Sequence, residues 1–321
     1  MLDVQDALLS SNEQVRATLS AAVPGLSEMT IYLTQSMGKG VRTQVLLNAA
    51  ADKDGKVPED APKAAAAIEL LHMATLVHDD VLDNAPTRRG MPTLHQKFDT
   101  KSAVICGDYL LSQSLLMFAN MDAQRFHKTD DNASLVPRFS KALSAVCQGE
   151  YMQHKNIGNL DLDLLTYLKI ISGKTAALFY IAAYAGAILG GESAEDARAL
   201  GRFGRCLGLV FQIADDCKDY EWTQEQARKP VASDIRSGVI TLPLILAMRK
   251  NPDLRYAAQE FMQSQQDTHC FAQAIREVGG TDAARTLAER YVAWGTKTLR
   301  GIIPSKQDAM LNILHKAKVG G

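Results

Sequence analysis

The chain has 321 residues, 46% of them hydrophobic, which is ample for a sizeable core and gives no sign of disorder. Its 35 Lys and Arg residues against 36 Asp and Glu residues leave a net charge of -1, which excludes a general basic field for nucleic acid and an acidic solvating tail. Five widely spaced cysteines without a CxxC pair exclude a recognisable disulfide framework or zinc motif and favour a reducing compartment.

The N-terminal residues predict that the protein is cytoplasmic. They carry early acids but neither the basic region nor the apolar region of a signal peptide. One stretch, residues 175–191, is uncharged over 17 positions. That length approaches the ~20 residues of a membrane span. The stretch is rich in Ala and Gly and lacks flanking aromatic or basic clusters, so we expect a buried bundle helix and no transmembrane span.

The residue pattern predicts an all-α fold. Long segments rich in Ala, Leu, Glu, Gln and Met are separated by short polar or Gly/Pro breaks, and alternating Val/Ile/Thr runs are nearly absent. No break has the length or composition of an interdomain linker, so we expect a single domain over residues 1–321. The predicted helices cover residues 12–21, 27–50, 61–84, 102–120, 133–156, 163–189, 194–222, 240–249, 253–265, 270–278, 282–300 and 306–317.

Two copies of the pattern D-D-x-x-D occur 136 residues apart, a first box at residues 79–83 and a second box at residues 215–219. Each is late in a long predicted helix, where residues four apart share one face. If both helices line one cavity, the six carboxylates repel one another unless cations bind there. Oxygen ligands without His or Cys favour Mg²⁺ together with a substrate phosphate. The acids are Asp79, Asp80, Asp83, Asp215, Asp216 and Asp219.

Basic residues around the first box point to a phosphorylated ligand. Arg88 and Arg89 follow the box in a loop broken by Pro, and guanidinium groups match phosphate oxygens. Lys39 and Arg42 lie three residues apart at a predicted helix start, and His72 lies two helical turns before the box. Apolar residues lie between the acids and the core. The sequence therefore predicts a substrate with a metal-bound diphosphate head and a hydrocarbon tail.

Each of these features also has an ordinary explanation when taken alone. A single D-D-x-x-D is more often a solvated acidic helix end. Lys39 and Arg42 are more often surface residues, and a lone His72 in an apolar helix is more often a core residue. The second box and the neighbouring cations favour the ligand site.

With these segments assembled, the chain resembles the trans-polyprenyl diphosphate synthases, which are class I isoprenoid synthases. The resemblance covers nearly the whole length. It implies an all-helical bundle around a deep central cavity in a homodimer, and Mg²⁺-dependent addition of isopentenyl diphosphate to an allylic diphosphate primer. The shared segments, in order, are GKGVR, ELLHMATLVHDDVLD with RRG, CGDYLL, GEYMQ, GKTAALF, LGLVFQIADDCKDY and KPVASDIRSGVITLPL.

The resemblance also implies a role for each matching residue. The six aspartates of the two boxes match the family's Mg²⁺-binding acids. The groups that match the isopentenyl diphosphate site are Lys39, Arg42, His72 and Arg89. The groups that match the allylic diphosphate site are Arg88, Lys174 and Lys229.

The same resemblance identifies the catalytic residues. Thr175 and Gln212 match positions whose oxygens face the carbocation, and we assign them together with Lys174 as catalytic. Gln153 is expected near the allylic pocket. No side-chain nucleophile is required, because metal and cationic side chains stabilise the departing diphosphate.

Three places depart from the family pattern. The segment MGKGVRT stands where members have G-G-K-R-x-R-P, although it keeps Lys39 and Arg42. Val239 stands where many members have Lys, so we expect one diphosphate contact to be missing. Lys316 and Lys318 near the C-terminus do not clearly match the basic closing segment of some members.

Ala74 is the residue that predicts product length. In this family a bulky side chain five positions before the first Asp gives a short product, whereas Ala74 and the adjacent Thr75 predict an open tunnel. We therefore expect a medium- or long-chain all-trans product, such as a quinone side-chain precursor. If Leu71, Ile68 or the 102–120 helix floors the tunnel instead, the chain is a geranylgeranyl or farnesyl diphosphate synthase.

Three other classes of protein fit less well. A terpene cyclase shares the first box but carries an N-D-x-x-S-x-x-x-E second box. A regulatory subunit of a heteromeric synthase typically loses acids, and this chain keeps all six. A di-iron bundle needs Glu ligands together with a pair of Glu-x-x-His motifs, and no such pair appears in the sequence. A catalytic subunit that needs a partner chain remains an alternative to a homodimer.

Overall fold

The computed structural model describes residues 1–35, 37–125, 134–221, 232–263 and 268–319. These residues are mostly helical, which confirms the predicted all-α fold class. The helices, in chain order, are α1 (Val4–Ser20), α2 (Leu26–Thr34), α3 (Val41–Ala50), α4 (Ala61–Leu82), α5 (Leu94–Lys97), α6 (Thr100–Arg125), α7 (Val136–Lys155), α8 (Leu164–Ile171), α9 (Ala177–Leu189), α10 (Ala194–Glu221), α11 (Ser233–Arg236), α12 (Leu242–Lys250), α13 (Leu254–Gln263), α14 (Thr268–Glu277), α15 (Gly280–Thr298) and α16 (Pro304–Val319).

Two short antiparallel ribbons accompany the helices, β1 (Leu2–Asp3) with β2 (Lys56–Val57) and β3 (Thr87–Arg88) with β4 (Met91–Pro92). The second ribbon turns through Arg89 and Gly90, whose φ angles are 53° and 79°. Positive φ at both central residues is the requirement of a type I′ hairpin turn. The turn fixes the backbone from which the two arginines after the first box project.

The predicted continuous helix over residues 27–50 is wrong. The structure has two helices instead, α2 ending at Thr34 and α3 beginning at Val41. Gly40 precedes α3 with φ 60° and ψ 39°, a left-handed conformation that a right-handed helix does not contain. Lys39 therefore lies in the connecting loop, and Arg42 lies in the first turn of α3.

The predicted helix over residues 163–189 contains a π-helical turn at Ser172–Ala176, between α8 and α9. Such turns insert one extra residue and occur frequently at functional sites. Glycine allows α7 to approach this turn closely, since a Cβ at Gly149 would lie only 2.3 Å from the backbone nitrogen of Lys174. The side chains of Lys174 and Thr175 therefore project from this π-helical turn and not from a regular α-helix.

The chain separates into two compact units. The first unit comprises Met1–Lys141, Leu178–Gly204 and Leu299–Leu311, and the second comprises Ala142–Ala177, Arg205–Thr298 and Asn312–Gly321. The first box belongs to the first unit and the second box to the second unit. The single domain over residues 1–321 stays a prediction.

Helix α4 lies in the core of the first unit, and its packing fixes the position of the first box at its C-terminal end. The alanines at positions 64–67 have no exposed surface. Helix α6 lies so close that a Cβ at Gly107 would be 2.2 Å from Nε2 of His78. The close approach of a second helix holds the last turn of α4, and with it the start of the first box.

Two helical stretches have the length and composition of a membrane span, Thr100–Asp122 and Leu164–Leu189. Of the most apolar part of the second stretch, 78% is buried within the protein, as in a core helix. This agrees with the buried helix predicted for the uncharged run at residues 175–191. The same share is 33% for the first stretch, which keeps an exposed face.

Candidate active site

The acids of the first box lie at the C-terminal end of α4 in three different environments. Asp80 is 7% exposed, Asp79 is half-buried and Asp83 is exposed. Asp83 is the first residue beyond the helix, and its backbone N–H donates to the carbonyl of Asp79 at 2.8 Å. The first and last acids are thus one helical turn apart, as the spacing predicts.

Asp80 forms an ion pair with Arg88 of β3. The Nε of Arg88 lies 2.8 and 2.9 Å from the two carboxylate oxygens, and Nη2 lies 2.8 Å from Oδ1. A guanidinium fork on a carboxylate is a strong and geometrically specific contact. Asp80 is therefore already bound by a side chain of the protein, and this ion pair also fixes the loop that carries Arg88 and Arg89.

Arg42 and His72 are in direct contact. Nη1 of Arg42 lies 3.1 Å from Nε2 of His72, and the guanidinium lies over the ring of Phe179 at 4.6 Å from its centroid. A guanidinium only donates, so Nε2 of His72 accepts and Nδ1 carries the proton. Burial, followed by the charges of Arg42, Arg89 and Arg88, lowers the pKa of His72 well below 6.5. His72 is therefore neutral.

Arg42 is a cation whose charge is incompletely compensated. Burial lowers the pKa of its guanidinium to about 10, and the charge of Glu69 opposes that shift. Its Nε atom is inaccessible to solvent and has no hydrogen-bond partner in the part of the chain that the structure describes. A buried guanidinium of this kind is stabilised when an anion binds beside it.

Glu69 is a site residue that sequence reasoning missed. It is 5% exposed, and its Oε2 accepts a hydrogen bond from the hydroxyl of Thr43 at 3.2 Å. Burial raises the pKa of Glu69, while Arg42, Thr43 and Arg89 act in the opposite direction. Between Asp60 and Asp79 it is the only acid, and that isolation in an apolar run was the available signal.

A pocket in the first unit brings several of these groups together. Its polar lining consists of Glu69, His72, Asp80, Arg88 and Arg89, and apolar side chains from α2 and α4 complete the wall. Gly38 makes room at its edge, because a Cβ there would lie 2.6 Å from Nη2 of Arg89. The pocket thus combines cations, a carboxylate of the first box and an apolar surface.

Lys39 does not line this pocket. It is exposed in the loop before α3, and its carbonyl accepts a hydrogen bond from the side chain of Gln44 at 2.7 Å.

The acids of the second box also differ in environment. Asp215 is exposed and lies 3.4 Å from Nζ of Lys218, whereas Asp216 and Asp219 are 3% and 2% exposed. Asp219 accepts hydrogen bonds from the hydroxyl of Ser233 at 2.9 Å and from the backbone N–H of Asp234 at 3.0 Å. Asp219 thereby fastens the start of α11 to α10.

Asp216 accepts a hydrogen bond on each of its two oxygens. The hydroxyl of Tyr167 donates to Oδ2 at 2.5 Å, and the Nε2 of Gln212 donates to Oδ1 at 2.8 Å. The hydroxyl of Thr175 donates in turn to Oε1 of Gln212 at 2.7 Å. Burial, then the charge of Asp234, raises the pKa of Asp216 to about 8, while the two hydrogen bonds lower it. The predicted catalytic residues Thr175 and Gln212 are therefore connected to the second box.

Lys174, the third predicted catalytic residue, pairs with Glu150. The ammonium group lies 2.7 Å from Oε2 of Glu150, and both side chains are mostly buried. Glu150 was not predicted as a site residue, although it belongs to the GEYMQ segment.

Four remaining predicted positions have no described role in this geometry. Lys229 lies outside the described residues. Gln153 is half-buried on α7, and Val239 is half-buried, its N–H donating to the carbonyl of Asp234 at 2.8 Å. Lys318 pairs with Glu289 near the end of α16.

The all-α fold, the paired aspartate boxes and the cationic pocket define an isoprenoid synthase. The sequence profile of the family described as Polyprenyl synthetase matches residues 23–278. This chain belongs to that family, as its motifs predicted. It is an all-trans prenyltransferase, a polyprenyl diphosphate synthase.

Individual relatives agree with this. Heptaprenyl diphosphate synthase component 2 of Bacillus subtilis (strain 168) is 33% identical over 95% of this chain and 86% of its own. The crystal structure of heptaprenyl diphosphate synthase from Staphylococcus aureus superposes with a TM-score of 0.88 at 30% identity, covering 99% of this chain and 98% of that one. Polyprenyl synthase from Caulobacter crescentus CB15, complexed with calcium and isoprenyl diphosphate, gives 0.87 at 28% identity, covering 98% and 95%.

These relationships establish the reaction class and the use of a divalent metal in the family. They leave the product length unresolved, because other relatives of similar identity are named as geranylgeranyl and octaprenyl diphosphate synthases.

Proposed function

We propose that this chain adds isopentenyl diphosphate to an allylic diphosphate primer in a Mg²⁺-dependent reaction and releases a medium- or long-chain all-trans product. One observation carries the proposal: the pocket at the end of α4, where Arg88, Arg89 and His72 meet a carboxylate of the first box beside an apolar wall. This lining matches a ligand with an anionic head and a hydrocarbon tail.

The isopentenyl diphosphate binds at Lys39, Arg42, His72 and Arg89. Arg42 supplies a buried guanidinium whose Nε–H has no hydrogen-bond partner among the described residues. The negative charge of a bound diphosphate would stabilise this guanidinium, which burial otherwise disfavours in its charged form. The left-handed turn fixes the backbone of Arg89, and the missing side chain of Gly38 leaves space for its guanidinium. Lys39 is exposed on its loop, so its contact forms when the substrate binds.

Mg²⁺ binds at the two boxes. In the described part of the chain no three His, Cys, Asp or Glu side chains form a ready metal cluster. Mg²⁺ is ordinarily held by one or two carboxylates, waters and substrate phosphates. In the first box the exposed Asp83 and Asp79, one helical turn before it, would hold the metal, and Asp80 is bound to Arg88. In the second box the exposed Asp215 would hold the metal and also lies 3.4 Å from Nζ of Lys218, whereas Asp216 and Asp219 are buried and accept hydrogen bonds from protein groups.

The bound metal supplies Lewis-acid stabilisation of the diphosphate that leaves the allylic carbon. The side chains do the remaining work. Arg88, Lys174 and Lys229 hold the allylic diphosphate, and the oxygens of Thr175 and Gln212 face the developing carbocation. The apolar wall excludes water, which would otherwise capture the cation. The isopentenyl double bond attacks the cation, and the proton lost afterwards passes to the released diphosphate.

We assign product length to the surroundings of Ala74. Ala74 is 2% exposed and belongs to an apolar cluster of the first unit with Leu70, Met73 and residues of α6, Cys106 and Leu110. The small side chain at this position is the feature that predicts an open tunnel, whereas a Phe or Tyr there would block the growing tail. The resulting prediction is a product longer than C20, with a geranylgeranyl or farnesyl product as the alternative.

We propose that the enzyme is a cytoplasmic homodimer that uses the exposed face of α6. Val104, Ile105, Leu115 and Leu116 are 37%, 59%, 41% and 51% exposed, and they fall on one helical stripe. Exposed apolar patches of this kind mark association surfaces. Leu115→Glu is expected to convert the dimer to a monomer in sedimentation, whereas Leu165→Glu, at a site 70% exposed on α8, is the matched control. A monomeric wild-type chain would favour a heteromeric partner instead.

Metal dependence tests the proposed function directly. The purified chain is incubated with labelled isopentenyl diphosphate and dimethylallyl, geranyl or farnesyl diphosphate, with Mg²⁺ or with a chelator. We expect incorporation only with Mg²⁺, and a large loss in Asp79→Asn and Asp83→Asn. Glu195→Gln, an exposed acid at the start of α10, is the control. Mn²⁺ binding followed by electron paramagnetic resonance should weaken in the two box variants; unchanged Mn²⁺ affinity would remove them from the metal site.

A further inference from the structure

We propose that Tyr167 is a positioning residue, which acts through Asp216 to orient the oxygens of Gln212 and Thr175 toward the carbocation. The inference rests on the proposed function in one respect, that Thr175 and Gln212 face the cation. Tyr167 itself touches neither substrate. Its hydroxyl and the three partners form a chain of hydrogen bonds within the second unit.

Tyr167 is rigidly placed. It lies in the first turn of α8, whose N-terminus is capped by Asp163, which accepts hydrogen bonds from the N–H groups of Leu165 and Thr166 at 2.7 and 3.0 Å. Its side chain is 3% exposed in the core cluster of the second unit, together with Ile213 and Cys217 of α10. The phenol therefore reaches Asp216 from a fixed helix through a packed core.

The chain of hydrogen bonds has a direction. The donors on either side of Asp216, the hydroxyl of Tyr167 and the amide N–H of Gln212, both point toward it. This arrangement orients the amide of Gln212 with its nitrogen toward Asp216, 2.8 Å from Oδ1. The carbonyl of Gln212 then faces Thr175 and accepts its hydroxyl proton.

This direction of the hydrogen bonds leaves oxygen lone pairs available on Gln212 and Thr175, at the end of the series away from Tyr167. The hydroxyl hydrogen of Thr175 is used within the chain, so Oγ1 keeps its lone pairs, and Oε1 of Gln212 keeps a second one. Fixed dipoles whose negative ends face a developing cation stabilise it without reorganisation during the reaction. Tyr167 contributes by holding Asp216 in the position from which it aligns these dipoles.

The primary test is Tyr167→Phe, which removes one oxygen and keeps the ring. Loss of the buried hydrogen bond to Asp216 is expected to lower kcat about tenfold while both KM values change less than about twofold. The matched control is Tyr220→Phe. Tyr220 is also fully buried, lies on α10, and its hydroxyl is 3.3 Å from the Thr241 hydroxyl, outside this chain. The control should keep the wild-type kcat and show a similar change in melting temperature.

Two further measurements separate positioning from other roles. In a double-mutant cycle with Thr175→Val, the effect of Tyr167→Phe on kcat should shrink to less than about twofold, because both substitutions interrupt one chain. Mn²⁺ affinity, measured by electron paramagnetic resonance without substrate, should stay within about twofold of wild type.

Three results would overturn the inference: a kcat equal to wild type, an undiminished effect in the Thr175→Val background, or a loss of Mn²⁺ affinity as large as the loss of kcat. Failure of the proposed function would look different, because the wild-type chain itself would then form no product.

Discussion

Arg88 neutralises Asp80, eight residues earlier in the chain, through hydrogen bonds from Nε and Nη2 to its carboxylate. The contact joins the last turn of α4 to the β3–β4 ribbon. As a consequence, the acids of the first box have different roles. Asp80 organises the arginine loop, and Asp79 and Asp83 are the proposed metal ligands.

Asp80→Asn is predicted to lower the free energy of unfolding by about 2–3 kcal/mol, because it leaves a partly buried guanidinium without its charged partner. Asp83→Asn, at an exposed position of the same box, should change stability by less than about 0.5 kcal/mol. Urea denaturation of the metal-free proteins measures both values. Equal stability of the two variants would show that the Asp80–Arg88 pair contributes nothing to folding.

Gly38→Ala is predicted to weaken isopentenyl diphosphate binding selectively. The added Cβ would lie 2.6 Å from Nη2 of Arg89, so the guanidinium has to move, while the flexible side chain keeps the loss of stability small. We expect KM for isopentenyl diphosphate to rise about tenfold, which corresponds to about 1.4 kcal/mol, with KM for the primer nearly unchanged. A matching rise in both KM values would contradict a role confined to one substrate.

His72 is predicted to destabilise the protein in acid. Its folded pKa lies well below the unfolded value of 6.5, so below pH 6.5 the unfolded chain binds a proton that the folded chain does not. Stability from this group is present above pH 6.5 and falls as the pH decreases, with a limiting slope of about 1.4 kcal/mol per pH unit. Unfolding free energies are measured between about pH 7 and pH 5. His72→Gln should remove this dependence of the unfolding free energy on pH.

The control for this measurement is His315→Gln, at an exposed position on α16, which should keep the wild-type pH dependence. An unchanged slope in His72→Gln would mean that His72 takes up its proton equally in the folded and unfolded states.

Ala74→Phe is predicted to shorten the product. The larger side chain fills space between α4 and α6, at a cost of about 1–3 kcal/mol in stability from overpacking. Chromatography of the dephosphorylated products should show a shift to C15 or C20. Ala66→Phe, in the same cluster two turns earlier on α4, controls for overpacking and should keep the wild-type product length. The assignment fails if both variants shorten the product equally.

Local sequence patterns predicted the helices well because most of them continue without interruption between Gly, Pro and polar breaks. Two interruptions were missed for physical reasons. At residues 35–40 a left-handed Gly40 separates α2 from α3, although the polar and apolar residues continue in a helical pattern. At Ser172–Ala176 one extra residue enters the turn, and a shift that small is invisible in hydrophobic periodicity.

The site was predictable where charges repeat at helical spacing, as in the two boxes, or follow a turn, as at Arg88 and Arg89. Tyr167 and Glu150 were missed because a Tyr or Glu within an amphipathic helix has many ordinary explanations. Their roles depend on partners 49 and 24 residues away, Asp216 and Lys174. Only the folded chain brings these groups together.

The most direct test of the account is the product length made by the purified chain alone. With Mg²⁺, labelled isopentenyl diphosphate and farnesyl diphosphate as primer, the dephosphorylated products are separated by chain length. We expect a self-sufficient enzyme whose main product is longer than C20. No incorporation with any primer would contradict it and indicate a required partner chain, and a product that stops at C15 or C20 would contradict the open tunnel at Ala74.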